Sequence, residues 1–206
     1  MTKIQVTEDG SHTLFSEMAG QTYHSSHGAV QESRHIFISQ LMAQQSMVNG
    51  QQLSVFEIGF GTGLNALLTA QWARENGVKV DYTTIELYPL KEEVYRELNY
   101  GKLLGDEGLF LRLYKAEWDV GWVEVTENFA IRKCKSDIVE WLRNEELVIR
   151  NRGLDVVYFD AFSPDAQPEL WTEEVFRNVY ALMRRGGVMT TYCAKGDVRR
   201  AMLAAG

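Results

Sequence analysis

The sequence predicts an α/β fold in which a mostly parallel, doubly wound sheet lies between layers of helices. Three observations predict it. Apolar runs typical of buried strands alternate with helical patterns along the chain. A glycine-rich turn joins one such strand to the helix that follows it, and acidic residues stand at the ends of several later strands. Because ligands of doubly wound sheets bind beyond the carboxyl ends of the strands, the same pattern predicts where a binding site lies.

Composition limits the class of protein. The chain has 206 residues, of which 45% are hydrophobic and 24% charged, which suits one domain, or a domain with an arm. No apolar run approaches the roughly 20 residues that span a bilayer, so no membrane partner is expected. Cys134 and Cys193 form no C-x-x-C pair and fit a reducing cytoplasm. His24, His27 and His35 lack a carboxylate or cysteine that would complete a coordination set, so no metal is expected.

The first 50 residues are expected to form an arm and a helix that pack on the main domain, residues 51–206. Residues 1–30 are polar and punctuated by glycines, which predicts an arm or a short hairpin without a role in the core. An approximately one-sided apolar stripe predicts a helix over residues 29–48. Asn49-Gly50 then ends that helix.

The turn at residues 59–63 is the candidate ligand-binding loop. A buried strand ends at Ile58, the turn reads Gly-Phe-Gly-Thr-Gly, and a helical pattern begins at Leu64. Glycines allow positive φ and close approach of a ligand, and the helix start presents free N–H groups. A dinucleotide fingerprint has two residues before its last glycine, whereas this turn has one. This spacing, with Glu57 just ahead, is that of the S-adenosylmethionine (AdoMet) loop in Rossmann-like methyltransferases, although a simple packing turn remains open.

Two acids after predicted strands are candidate ligands of the adenosine part of such a cofactor. Residues 78–86 read as a strand ending in Glu86, whose carboxylate could accept hydrogen bonds from both ribose hydroxyls. A hairpin signal over residues 122–134 leads to Asp137, which caps a helix over residues 138–144. Asp137 could also accept a hydrogen bond from the adenine amino group, and the two roles are compatible.

The remaining patterns complete the alternation of strands and helices. The predicted elements are a helix from Pro89 to about Tyr100, a strand at Phe110–Tyr114, a strand at 154–160, a helix capped by Thr172 and ended by residues 184–187, a strand at 188–193 and a last helix at 198–205.

Four blocks of the sequence resemble the MnmC family of tRNA-modifying methyltransferases, and together they cover most of the chain. They are Asp160-Ala161-Phe162-Ser163-Pro164 with Pro168-Glu169-Leu170-Trp171, Glu57 to Asn65, Gly28 to Phe37, and Arg185-Gly186-Gly187 with Val198-Arg199-Arg200. The resemblance implies a Rossmann-like class I methyltransferase fold with three α/β/α layers. It also implies AdoMet-dependent N-methylation of the 5-aminomethyl group of (2-thio)uridine at the tRNA wobble position.

The chain differs from the family in two respects. Residues 118–134 form a hairpin-like stretch that is not part of the resemblance, and the sequence ends at residue 206, where class I methyltransferases are expected to add a final hairpin. Some family members also carry a FAD-dependent oxidase domain, for which this chain has no room. The resemblance therefore implies the stand-alone methyltransferase type, with separate FAD-dependent or other enzymes acting upstream.

The site residues are assigned on the glycine turn, the strand ends and the resemblance together. Asp160 is the expected catalytic residue, which orients the acceptor amine and takes or relays its proton. The expected cofactor-binding residues are Tyr23, Glu57, Gly59, Gly61, Thr62, Gly63, Asn65, Glu86, Asp137 and Asp160. Phe162, Pro164 and Trp171 are expected to wall a flipped-out base, with Phe162 and Trp171 equally open as core residues.

The net charge of −7 argues against tight nonspecific binding of nucleic acid, so RNA would need a local basic face. Lys195 and Arg199 lie near the expected cleft and are the preferred candidates. The other basic clusters are Arg132, Lys133 and Lys135, Arg184 and Arg185, and Arg200. Alternatives from other classes are a polyamine-synthase-like aminopropyltransferase, a small-molecule amine methyltransferase and a non-catalytic AdoMet- or RNA-binding module.

Overall fold

The computed structural model describes residues 2–45, 52–144 and 153–206. The predicted helix end at Asn49-Gly50 and the boundary between residues 50 and 51 lie outside these residues. Within them, no helix has both the length and the apolar character that crossing a lipid bilayer requires.

The N-terminal region is a small antiparallel sheet followed by a helix, where the sequence predicted an arm or short hairpin. The sheet joins β1 (Thr2–Val6), β2 (His12–Ser16) and β3 (Gln21–Thr22). Leu14 of β2 is fully buried and belongs to the main hydrophobic core. The expectation that this region contributes nothing to the core was therefore wrong, because one buried leucine in a mostly polar stretch gives no apolar pattern that indicates a core strand.

The helix after this sheet is interrupted by a π-helical turn. It consists of α1 (Ala29–Ser33), the turn Arg34–Ile38 and α2 (Ser39–Gln45). Phe37 and Leu41 are buried against the main sheet, which fits the predicted apolar stripe.

The central sheet has, among the described residues, six strands in the order β6-β7-β5-β4-β8-β9. All neighbours are parallel except β6 and β7, which form the predicted hairpin. The strands are β4 (Gln52–Ile58), β5 (Lys79–Ile85), β6 (Trp122–Thr126), β7 (Phe129–Cys134), β8 (Leu154–Phe159) and β9 (Met183–Thr190). Since β4 is flanked by β5 on one side and by β8 on the other, the strand order reverses at β4. That reversal is where doubly wound sheets bind ligands.

Helices cover both faces of this sheet, which confirms the three-layer architecture. Leu53 and Val55 of β4 face one core cluster, whereas Phe56 and Ile58 face another, as the alternation along a strand requires. The helices are α3 (Leu64–Asn76), α4 (Glu92–Tyr95), α5 (Tyr100–Leu103), α6 (Glu107–Lys115), α7 (Ile138–Asn144), α8 (Glu173–Leu182) and α9 (Gly196–Ala205).

Three predicted elements differ in the structure. The strand predicted at Phe110–Tyr114 is part of α6, because Asp106 caps a helix there by accepting a hydrogen bond from the Leu109 amide at 3.3 Å. The helix predicted from Pro89 to Tyr100 is only the single turn α4. The last strand was predicted at residues 188–193 but runs from Met183 to Thr190. It therefore includes residues 184–187, which were expected to end the preceding helix, and it stops before Cys193.

The register shift between β8 and β9 explains the early start of the last strand. The pairing is Leu154 with Met183 and then Val156 with Val188, so extra residues of β9 lie between the two pairs. A Cβ at Gly187 would stand 2.7 Å from the Leu154 carbonyl oxygen, so a glycine is required at this close approach. The glycine pair thus belongs to an irregular strand, where the sequence suggested a helix end.

Candidate active site

A cavity of about 310 Å³ opens at the carboxyl ends of the central strands, where the strand order reverses. Nine of the residues expected from the sequence line it. They are Tyr23, Gly59, Gly61, Thr62, Asn65, Glu86, Asp137, Asp160 and Phe162. The fold therefore brings together residues from distant parts of the chain, from Tyr23 after the small N-terminal sheet to Phe162 after a central strand.

The glycine turn follows β4 and has a backbone that only glycine adopts easily. Gly59 has φ 92°, and a Cβ there would stand 2.6 Å from the carbonyl oxygen of Asp160. Gly61 has φ 49° and packs beneath Tyr23, whose Cδ1 would be 3.0 Å from an added Cβ. Gly63, with φ 72°, faces Phe60 and so serves the packing of the turn. The turn thus leaves a stretch of exposed backbone at Gly59 and Gly61 along the cavity.

Glu86 follows β5 and is fixed beside this turn. Its Oε2 accepts a hydrogen bond from the Gly61 amide at 3.1 Å, and its Oε1 accepts one from the Tyr88 amide at 2.8 Å. Burial raises the pKa of Glu86. A carboxylate has about four lone-pair sites, so both oxygens can still accept hydrogen bonds from the hydroxyl groups of a ligand.

Asp137 caps α7, as the sequence predicted. Its Oδ1 accepts hydrogen bonds from the amides of Val139, at 2.8 Å, and Glu140, at 3.2 Å. The residue also lines the cavity. Both roles considered for Asp137 are therefore compatible with its position.

Asp160 lies just beyond β8, directly against the glycine turn. Its amide donates a hydrogen bond to the Ile58 carbonyl at 3.0 Å, and its Oδ2 accepts one from Asn65 Nδ2 at 2.8 Å. Burial raises the pKa of Asp160 well above its usual value, and the nearby Glu57 carboxyl raises it further. A raised pKa makes the ionised form of Asp160 a stronger base, and it is this ionised form that can accept a proton.

Glu57 does not line the cavity but lies behind Asp160 within the sheet. It is fully buried, and its Oε2 accepts a hydrogen bond from Thr84 Oγ1 at 2.9 Å. Burial raises the pKa of Glu57 to about 8, so the side chain is largely protonated at neutral pH. Its position supports an indirect influence on the site through Asp160, in contrast to the cofactor contact expected from the sequence.

The N-terminal region closes one side of the cavity. The ring of Tyr23 meets that of Phe162 edge to face at a centroid distance of 4.9 Å. His24 Nε2 and Thr62 Oγ1 share a hydrogen bond of 2.7 Å, which ties this region to the glycine turn. Burial lowers the pKa of His24 to about 4, so its imidazole is neutral at physiological pH.

The residues expected to wall the substrate do not all reach the cavity. Phe162 lines it, but Trp171 is buried in the core, where its ring lies 4.9 Å from that of Phe159. Trp171 Nε1 donates a hydrogen bond of 2.8 Å to the Phe162 carbonyl, so it supports Phe162 from behind. Pro164 lies in the adjoining turn, outside the lining.

The cationic residues expected to bind RNA lie outside the cavity. Lys195 is exposed at the start of α9 and pairs with Asp165 at 2.5 Å, and Arg199 is exposed one turn later. Lys133 was wrongly included among the surface cations, because it is 1% exposed. Its Nζ donates hydrogen bonds to the carbonyls of Leu113, Tyr114 and Ala116 at the end of α6.

Lys133 also lies 4.9 Å from the centroid of the Phe60 ring, and so connects the end of α6 with the glycine turn. Burial lowers the pKa of Lys133 to about 7, whereas the carbonyl oxygens and the ring favour its ammonium form. Lys133 therefore acts within the core.

The polar lining residues that were not found from the sequence include Glu32, Gln167 and Tyr192. Gln167 Oε1 accepts a hydrogen bond from the Phe162 amide at 2.9 Å, and Tyr192 donates one to the Ala161 carbonyl at 2.9 Å. Tyr192 follows β9, so the rule that sites lie beyond strand ends could have indicated it. Glu32 lies in the block at Gly28–Phe37, but nothing in its local pattern indicates that α1 reaches the cavity.

Comparison with known proteins identifies the class. Residues 122–206 match the family described as S-adenosyl-L-methionine-dependent methyltransferase. The protein "tRNA 5-methylaminomethyl-2-thiouridine biosynthesis bifunctional protein MnmC" of Cupriavidus metallidurans is 29% identical over 98% of this chain, and that of Aeromonas salmonicida is 30% identical over 94%. The chain spans 30% and 31% of the lengths of these two relatives.

A solved structure agrees with the sequence matches. The crystal structure of MnmC2 from Aquifex aeolicus has a TM-score of 0.80 and 26% identity, and the match covers 100% of this chain and 64% of that one. The fold and the cavity are those of a Rossmann-like S-adenosyl-L-methionine-dependent methyltransferase domain, and the family match over residues 122–206 agrees with them. Within that class it is similar to the MnmC proteins, which confirms the resemblance found in the sequence motifs.

The residues present fit AdoMet as the cofactor of this class. The positive-φ glycines leave backbone open to a ligand, and Glu86 offers acceptors for ribose hydroxyls. None of the described lining residues is lysine or arginine, so nothing cationic in this lining opposes a sulfonium.

Proposed function

We propose that this domain transfers a methyl group from AdoMet to the amine of a 5-aminomethyl(-2-thio)uridine at the wobble position of tRNA. The observation that carries the proposal is the position of Asp160, which lines the same cavity as the glycine turn and is held by Asn65. The names of the MnmC relatives supply the substrate class. We further propose that residues 1–50 and 51–206 act as arm and catalytic domain.

The cofactor would be held by the backbone at Gly59 and Gly61, by Glu86 on its ribose and by Asp137 near its adenine. The cavity lining near the cofactor would be completed by Thr62, Asn65 and Tyr23. AdoMet, when bound, supplies a methyl group that its positive sulfur has already activated. The protein's tasks are to align the acceptor nitrogen with that methyl group and to exclude water.

Asp160 would perform the proton chemistry on the acceptor. An ammonium has no free lone pair, so a proton must leave the nitrogen before it can attack. The ionised carboxylate of Asp160 would take that proton, and burial together with the nearby Glu57 makes this carboxylate a stronger base. The hydrogen bond from Asn65 fixes its orientation.

The uracil ring would lie against the aromatic pair Tyr23 and Phe162 at the side of the cavity. Stacking of a base on an aromatic ring contributes about 1–3 kcal/mol. The tRNA backbone would meet the exposed cations Lys195 and Arg199 near the end of β9, which lie outside the acidic cavity. We propose a cytoplasmic location for this reaction, with the aminomethyl group made by separate upstream enzymes.

One assay tests the proposal and its rivals together. The protein is incubated with methyl-labelled AdoMet and either tRNA that carries 5-aminomethyl(-2-thio)uridine, the same tRNA without that group, or free polyamines. We expect label only in the first RNA, as 5-methylaminomethyl(-2-thio)uridine. Label in polyamines would indicate a small-molecule amine methyltransferase, and aminopropyl transfer from decarboxylated AdoMet would indicate a polyamine synthase. AdoMet binding without label in any acceptor would indicate a binding module.

A further inference from the structure

The lining of the cavity carries charge of one sign. Of its described residues, five are acidic, Glu32, Glu86, Asp137, Asp160 and Glu169, and none is lysine or arginine. The one histidine, His24, is held neutral by burial, which lowers its pKa to about 4. A cavity of this kind attracts cationic groups and disfavours anionic ones.

The acids divide between the two sides of the strand reversal. Glu86 and Asp137 follow β5 and β7, the side proposed for adenosine, whereas Asp160 follows β8 on the opposite side. Glu32 comes from α1, and the helical turn that continues α1 lies against β9, because Thr190 Oγ1 donates a hydrogen bond of 2.9 Å to the Ile36 carbonyl. Since β9 is the neighbour of β8, Glu32 belongs to the Asp160 side of the cavity, where its charge also raises the pKa of Asp160 and Tyr192. Two carboxyl groups therefore face the part of the cavity where the acceptor would enter.

One carboxylate oxygen of Glu32 is held by a hydrogen bond, whereas the other is still able to accept one. Its Oε2 accepts a hydrogen bond from the Ser25 amide at 2.8 Å, and no described residue donates to its Oε1. Helix α1 is anchored in turn, since Ser11 Oγ accepts a hydrogen bond from the Ala29 amide at 3.1 Å. Glu32 is thus a half-buried carboxylate on a fixed helix, with one oxygen still available to a ligand.

We propose that Glu32 binds the acceptor amine opposite Asp160 and makes the site selective for an amine over a neutral group of the same size. This inference rests on the proposed function. A primary ammonium has three N–H bonds. Glu32 would accept one of them, while a second proton passes to Asp160. The freed lone pair then forms the N–C bond as the C–S bond of the sulfonium donor breaks and leaves its electron pair on sulfur.

The test compares two anticodon stem–loops that differ only in the wobble substituent, 5-aminomethyluridine or 5-hydroxymethyluridine. Their Kd values are measured in the presence of S-adenosylhomocysteine. We expect the wild-type protein to prefer the amine by about tenfold, the size of one charge-assisted hydrogen bond. Glu32→Gln, which keeps an oxygen for the Ser25 amide, should reduce this preference to less than about twofold. Glu8→Gln, an exposed carboxylate of the same region, should leave it unchanged.

Two further readouts separate this role from a structural one. Glu32→Gln should move the acidic limb of the kcat/KM profile to lower pH, because Asp160 loses a neighbouring negative charge while Glu57 and Tyr192 still face it. The Kd for AdoMet should stay within about twofold of the wild-type value. An unchanged amine preference, an unmoved pH limb, or a loss of AdoMet affinity instead of acceptor preference would each overturn the inference.

The failure of this inference is distinguishable from failure of the proposed function. A wild-type protein that methylates the aminomethyl RNA, together with a Glu32→Gln variant that keeps the amine preference, would contradict only the role of Glu32. A wild-type protein that methylates no RNA would contradict both.

Discussion

Asn65 Nδ2 donates a hydrogen bond to Asp160 Oδ2 across 2.8 Å, and this contact joins the start of α3 to the end of β8. Asn65 is buried in the first turn of α3, just after the glycine turn, so the contact links the proposed proton acceptor to the proposed cofactor loop. The orientation of the carboxyl group is therefore set by the same residues that shape the loop.

Removing this contact should alter the pH dependence of catalysis. The hydrogen bond from Asn65 lowers the pKa of Asp160, so Asn65→Ala should raise that pKa further. Asp160 would then stay protonated to higher pH, and the acidic limb of the kcat/KM profile should move to higher pH, with kcat reduced about tenfold. Asn76→Ala, at the other end of the same helix, is the matched control. An unmoved limb would show that Asp160 is not the group that titrates.

Glu57 should make stability fall as pH rises. Burial raises the pKa of Glu57 in the folded state to about 8 from its usual value of 4.5, so the folded state binds the extra proton between these values. Its stabilising contribution is complete below pH 4.5 and is lost as pH approaches 8. Glu57→Gln should remove this loss and become more stable than the wild type near pH 8, on the order of 2 kcal/mol. Urea unfolding from pH 5 to 8 measures the free energy of unfolding of both proteins, and Glu75→Gln, at an exposed residue, is the control. If this free energy changes with pH in the same way for the wild type and Glu57→Gln, the raised pKa of Glu57 is disproved.

A side chain at position 59 should destabilise the protein, because the backbones of Gly59 and Asp160 lie too close together to leave room for it. Gly59→Ala would bring a Cβ within 2.6 Å of the Asp160 carbonyl oxygen in a backbone with φ 92°. Gly77 also has positive φ, 66°, but meets nothing within 4 Å. Gly77→Ala should cost about 1 kcal/mol from strain alone, whereas Gly59→Ala should cost about 3 kcal/mol and weaken AdoMet binding. Denaturant unfolding and calorimetric titration measure both, and equal losses would indicate that the close approach is unimportant.

How far the sequence predicts this structure is clear from particular residues. The glycine turn, Glu86, Asp137 and Asp160 follow strands, and because parallel strands end at one edge of the sheet, their meeting could be predicted. The inward position of Trp171 could not be predicted, because a tryptophan after a turn can lie either in the hydrophobic core or in the lining of a substrate-binding cavity.

Two other misses have similar causes. Glu32 was missed because its approach to Asp160 depends on how α1 packs against the sheet, which no local pattern records. The prediction of a strand at Phe110–Tyr114 was wrong, because five residues of apolar alternation also fit one face of a helix. The cap at Asp106 favours the helix.

The exposed cations near the cavity should affect RNA but not the cofactor. Lys195→Glu or Arg199→Glu should weaken tRNA binding about fivefold and reduce its dependence on salt, because each removes a phosphate partner. The Kd for AdoMet should not change. Lys79→Glu, an exposed change at the opposite end of β5, is the control. Equal losses of tRNA and AdoMet binding would contradict this division of roles.

The most direct measurement is the single-turnover rate of methyl transfer to aminomethyl tRNA by Asp160→Asn, together with its Kd for AdoMet. Asparagine keeps an oxygen that can accept the hydrogen bond from Asn65, so the cavity should stay intact. We expect the rate to fall by about 100-fold or more while the Kd changes less than about threefold. A rate close to that of the wild type would contradict the role of this carboxylate as the proton acceptor.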